Sequence, residues 1–156
     1  MQPELKRNHL KIPALVVATL WSGTIASLVM MPAGFLFKAL GLRVGHYGPQ
    51  LGRILFGDPS PLLLFIQHLV IGWLSALPLL IFLVKIRLPI RPWITGALYG
   101  AAYYVAVNSL LLPLAFGDPT PWQLGFAFIY PSLVVHLIFG AAIGLAAGPF
   151  LRTHHQ

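Results

Sequence analysis

The chain has 156 residues, 58% of them hydrophobic and 8% charged, with a mean hydropathy of +0.83. Soluble domains carry about 25% charged residues, so this composition cannot coat a globule of such size, and the chain reads as an integral membrane protein. Ten Lys and Arg against three Asp and Glu give a net charge of +7, and the lack of cysteine excludes disulfides, thiolate nucleophiles, iron–sulfur clusters and Cys-based zinc sites.

Four uncharged stretches reach the roughly 20 residues a bilayer crossing needs: Ile12–Phe37, Pro61–Val84, Trp93–Phe116 and Trp122–Leu151. They must be helical, because lipid offers no partner to an unpaired backbone amide or carbonyl. Lys6, Arg7 and Lys11 precede the first stretch as in a signal peptide. That stretch is too long, however, and lacks a small-residue cleavage site, so it reads as a retained span. Gly41, Gly45, Gly48 and Gly52 punctuate the following loop. With no Gly-Lys-Ser/Thr ending it is no phosphate cradle, and a flexible or partly re-entrant connector is expected. Trp93 and Trp122 suit interfacial anchors, whereas Trp21 and Trp73 are expected to pack against neighbouring spans.

The basic residues sit at the ends of the apolar runs, where topology explains them better than nucleic-acid binding. Lys6, Arg7, Lys11, Lys85, Arg87, Arg91 and Arg152 fall on one side, and Lys38, Arg43 and Arg53 on the other. The positive-inside bias then places both termini in the cytoplasm.

Phe56-Gly57-Asp58-Pro59-Ser60-Pro61 precedes span 2, and Phe116-Gly117-Asp118-Pro119-Thr120-Pro121 precedes span 4. His68-Leu69-x-x-Gly72 is echoed by His136-Leu137-x-x-Gly140. Two matched motifs in one order predict a duplicated helical hairpin, with repeats at about 12–86 and 91–151 in the same orientation, within one transmembrane domain over 1–156. Asp58 and Asp118 are expected to cap the helices that follow. Span 4 is too long for a straight crossing, so Pro131 is expected to mark a kink or the true helix start, with residues 122–128 lying partly in the interface.

Counted from the basic rim, Ser27, His68, Asn108 and His136 each lie sixteen or seventeen residues into their spans, about 24–26 Å at the helical rise. They predict one polar layer, turned inward because polar groups are costly against hydrocarbon. Gly96, Gly100, Tyr104 and Asn108 step by four along span 3, and His136, Gly140, Gly144 and Gly148 along span 4. Laid antiparallel, the two rows pair Asn108 with His136, Tyr104 with Gly140 and Gly100 with Gly144, the small residues allowing close backbone approach. Spans 1 and 2 pair Ser27 with His68 and Gly23 with Gly72. The expected architecture is all-α: a four-helix bundle with His68 and His136 facing its middle.

The polar layer admits several uses. Interhelical hydrogen bonds such as Asn108–His136 and Ser27–His68 would hold the hairpins in register. His68 and His136 would alternatively supply both axial ligands of a b-type haem, with Gly72 and Gly140 leaving room for the macrocycle. A proton or ion path, as in a small transporter or channel, finds no Asp, Glu, Lys or Arg within any span to relay charge. Two histidines underfill a metal site, and His154-His155 reads as a solvated tail. The only acids, Glu4, Asp58 and Asp118, lie outside the spans, so no side-chain catalytic constellation forms and no enzymatic activity is expected. Small-residue faces at Ala26/Met30/Gly34 and Ala97/Ala101 are free to mate with another copy or a larger complex.

His68-x-x-x-Gly72 in the second span and His136-x-x-x-Gly140-x-x-x-Gly144 in the fourth resemble a family of small, uncharacterised four-span bacterial inner-membrane proteins. The resemblance covers most of the chain and implies four spans and a bacterial inner membrane, with no functional residue to carry over. The leading expectation is a non-enzymatic inner-membrane protein acting as an oligomer or an accessory subunit of a larger membrane complex, followed by the haem-binding electron carrier.

Overall fold

The computed structural model describes residues 11–45, 47–86 and 88–154, the last by backbone only. Lys6, Arg7, Arg87 and His155, which entered the topology and tail readings, lie outside the described residues, as does the His154 side chain.

The described residues are helical, with no strand. Four helical rods are long and apolar enough to cross a membrane: Ile12–Ala39, Pro61–Lys85, Pro92–Phe116 and Phe126–Ala146. This is a multi-pass membrane protein. The first rod is α1 (Ile12–Ala39), followed by a short α2 (Tyr47–Phe56) and by α3 (Pro61–Lys85). The third rod joins α4 (Pro92–Tyr103), a π-helical segment (Tyr104–Leu111) and α5 (Leu112–Phe116). After one turn, α6 (Pro121–Leu124), come α7 (Phe126–Ala146) and α8 (Gly148–His154).

The helix starts correct one expectation. Ser60, not Asp58, caps α3: its hydroxyl accepts from the Leu63 amide (3.3 Å), with Pro61 in the first helical position. Thr120, not Asp118, caps α6, and Gln123 completes a capping box by accepting from the Thr120 amide (2.8 Å). A cap must stand immediately before the first helical residue, and the intervening Pro59 and Pro119 put the aspartates two positions too early. The two motifs nonetheless share a local form, since Gly57 (φ 78°) and Gly117 (φ 69°) both take the left-handed conformation that ends the preceding helix.

Pro131 sits inside α7, so the break expected there occurs earlier, at Gly125. Its φ of 101° is readily accessible only to glycine, and it divides span 4 into α6 and the long α7.

Packing follows the order α3, α1, α7, α4, with each neighbouring pair in broad contact. The expected pairs of spans 1 with 2 and 3 with 4 are present, and α1 against α7 joins them. By contrast, α3 and α4 touch sparsely, bridged by the Tyr99 hydroxyl donating to the Ser75 carbonyl (2.6 Å). The apolar core lies toward the end carrying the termini, built on Leu79, Leu80, Leu83, Phe139 and Ile143.

Glycines set the closest contacts. Gly140 faces the Gly96 carbonyl, Gly100 faces the His136 carbonyl, and Gly144 faces the Pro92 carbonyl. The α4–α7 register is therefore one to two turns away from the expected pairing of Gly100 with Gly144 and Tyr104 with Gly140. Gly140 nests between Gly96 and Gly100, which lets two backbones meet where bulky Tyr104 would hold them apart. Gly23 meets Gly72 as expected, and Gly72 also faces the Ser27 hydroxyl. Gly148 packs on no neighbouring helix: a methyl group there would meet only Arg152 of its own turn.

Two further expectations fail. Trp21 is 60% exposed, because it stands opposite the buried stripe of Ala18, Ser22 and Ala26. Ala26 is fully buried in the core, so it is not left over for a partner, whereas Gly34 has open space beside it.

Candidate functional site

The third rod departs from α geometry where its sequence places Pro113. A proline lacks an amide and its ring presses on the carbonyl four residues earlier, here Ser109. The π-helical turns from Tyr104 to Leu111 widen the helix at that point, a form found often at functional sites. The i→i+5 pattern adds a residue to each turn, so Asn108 no longer stacks above Gly96, Gly100 and Tyr104 on the face toward α7.

Asn108 instead lines a cavity of about 450 Å³ in the α2 half of the bundle. Ser27, His68 and His136 line it too, so the structure brings the whole predicted polar layer to one space. The cavity lies beyond the Tyr99–Ser75 bridge, between α3 and the third rod, where no close helix packing seals the flank.

The expected hydrogen bonds take a different form. The His68 Nε2 meets the Ser27 carbonyl (3.1 Å), not its hydroxyl, and thereby ties α3 to α1. The His136 Nδ1 meets the Ser132 carbonyl on its own helix (2.6 Å), so it makes no bond to Asn108 and links no two helices. The reason is the register: with His136 beside Gly100, its ring lies against Tyr103 (centroids 5.9 Å, stacked) and Tyr104 (5.7 Å), a full turn short of Asn108. Asn108 makes no side-chain hydrogen bond among the described residues.

The second half of the glycine-rich connector is helical, as α2. Gly52 puts the backbone of α2 against α3, where it faces Leu64 and Gln67. The Gln67 Nε2 donates to the Gly48 carbonyl (2.9 Å), and Tyr47 stacks on Phe116 (5.6 Å). Tyr47, Gly48 and Pro49 thus roof the cavity. Burial pushes the Tyr47 phenol above its usual range; Asp118 adds to the rise and Arg43 opposes it. Asp118 therefore acts on the roof electrostatically and not as a cap. Lys38, Arg43 and Arg53 line a second depression beside the roof.

Three contributors escaped the sequence reading. Gln67 adjoins His68 and was detectable as one of the few polar residues within a span. The roofing α2 had a signal in Gly52, which makes the close approach to α3. Tyr103 carried none, because an aromatic residue inside an apolar run looks like ordinary core.

No family model matches the chain, and no curated protein or solved structure matches it. The functional reading rests on the site alone.

Proposed function

We propose that this chain is a non-enzymatic, multi-pass membrane protein that holds a small amphiphilic molecule in the cavity beside His68 and His136. One observation carries the reading. Ser27, His68, Asn108 and His136 border a single roofed space between the helices. Polar residues serving only as interhelical glue would bond across helices, yet His136 bonds to its own helix and Asn108 makes no such bond. The volume falls in the range of about 300–1,000 Å³ typical of small-molecule sites.

The seven-to-three split of basic residues supports an orientation with both termini cytoplasmic, which puts α2 on the opposite face. The shared Phe-Gly-Asp-Pro-Ser/Thr-Pro motifs, with matching left-handed glycines, support two like-oriented hairpin repeats. The resemblance to small bacterial proteins favours an inner membrane. Ala97 and Ala101, half-exposed on α4, offer small residues to another copy or to a larger complex in which the chain is an accessory subunit.

Purification in mild detergent followed by mass spectrometry of extracted small molecules tests the reading. A stoichiometric amphiphile is expected in the wild type and is depleted in the double variant His68→Phe/Asn108→Leu. Bulk lipid alone in both would overturn it. Copurification with larger partners from native membranes tests the assembly part.

A b-type haem is the second reading, favoured by one feature: with Nδ1 on the Ser132 carbonyl, His136 keeps Nε2 free for a metal. His68 does not match it. Its Nε2 is engaged by Ser27, leaving Nδ1, which sits next to its own backbone where a flat macrocycle would collide. A visible spectrum after haem-replete expression separates the two readings.

A further inference from the structure

We propose that the cavity selects a hydrogen-bond-donating aromatic head with a hydrocarbon tail, the chemistry of a lipid quinol, over its oxidised quinone. The inference rests on the cavity being a ligand site and goes further by deriving the ligand's polarity from the hydrogen bonds around it.

A backbone carbonyl can only accept a hydrogen bond. A neutral imidazole that meets a carbonyl through one nitrogen therefore carries its proton there and keeps a lone pair on the other. His68 meets the Ser27 carbonyl through Nε2, so Nδ1 is its acceptor. His136 meets the Ser132 carbonyl through Nδ1, so Nε2 is its acceptor. The same logic fixes the Gln67 amide. Its Nε2 donates to the Gly48 carbonyl, and Oε1 is left buried without a partner.

Two cavity-lining imidazoles thus offer an acceptor each, whereas the Gln67 amide oxygen is turned against Gly52 of α2. The Ser27 hydroxyl, 0% exposed and packed against Gly72 of α3, takes no part in the site's bonding. An unmatched buried acceptor is costly, and it is answered by a ligand that brings O–H groups. Asn108 supplies the amide donors for the ligand oxygens' own lone pairs.

The remaining lining defines the rest of the molecule. Among the described residues only Lys38, toward the roof, brings a charge to the lining, so a cationic head would find no counter-charge there. Tyr103, Phe139, Met30 and Met31 border it as well, and aromatic faces with thioether sulfurs favour a flat ring. The loosely packed flank between α3 and the third rod gives a tail its way into lipid. A quinone of the same shape carries carbonyl oxygens alone and leaves the two imidazole acceptors unanswered. Sites built to bond a hydroxyl reject the analogue lacking it.

The test is equilibrium binding to the full chain in lipid nanodiscs under nitrogen. A radiolabelled decyl-tailed p-benzoquinol is the probe and the matching p-benzoquinone the competitor. The quinol is expected to bind about tenfold to a hundredfold more tightly, as two net hydrogen bonds allow. His68→Phe is expected to erase most of the preference, provided the variant elutes and melts as the wild type does. The wild-type preference is a readout that needs no variant.

Equal affinities, or a preference for the quinone, would overturn the donor assignment while the cavity stands as a ligand site. Binding of neither probe, with another amphiphile recovered from purified protein, would overturn the quinol chemistry alone. Binding of neither probe, with nothing recovered, would remove the ligand site and this inference together.

Discussion

Gly140 and Gly96 face each other's carbonyl oxygens across α7 and α4, and neither position has room for a methyl group. This contact fixes the α4–α7 register, and the register decides that His136 meets Tyr103 and the cavity while Asn108 stands apart. Gly140→Ala is expected to cost about 1–3 kcal/mol through overpacking, seen as a lower Tm in detergent. Gly148→Ala, whose methyl group would meet only Arg152 at ordinary distance, is expected to change stability by no more than about 0.5 kcal/mol. Similar Tm values for the two variants would contradict the register.

The caps yield a second test. Ser60→Ala is expected to destabilise by about 1 kcal/mol, because it strips the Leu63 amide of its acceptor. Asp58→Ala, two positions outside the helix, should stay within about 0.5 kcal/mol. Urea unfolding in mixed micelles distinguishes them, and a larger loss at Asp58 would restore it as the cap.

Tyr99 carries the bridge between α3 and α4. Tyr99→Phe removes the hydroxyl from the Ser75 carbonyl and is expected to cost about 0.5–1.5 kcal/mol. It should also speed hydrogen exchange in α4 relative to α1. Unchanged exchange would mean the two rods are held by other contacts.

The chain has no cysteine, so single-cysteine labelling needs no prior substitutions. Arg53→Cys on α2 is expected to react with an impermeant maleimide on intact cells, and Thr153→Cys only after lysis. The reverse pattern would invert the proposed topology.

Much of the site was legible because depth along a helix is linear in residue number. Counting from the basic rim therefore singled out Ser27, His68, Asn108 and His136, which line one cavity although His136 stands at least a turn from Asn108. Azimuth was less legible: a four-residue step holds only in α geometry, and the π turns between Tyr104 and Leu111 rotate Asn108 off the stripe. Hydrogen-bond partners were least legible, because His68 and His136 both bond to backbone carbonyls, which leave no trace in side-chain identity.

Composition and run length by themselves determined an all-helical chain with four apolar rods, because lipid forces every backbone group to bond within its own segment. Only the tertiary structure decided which glycine meets which, that the connector between spans 1 and 2 folds into a roof, and that the polar layer encloses a cavity. Those outcomes turn on interlocking shapes between segments distant in the chain, and several registers of a small-residue stripe look alike until two backbones are pressed together.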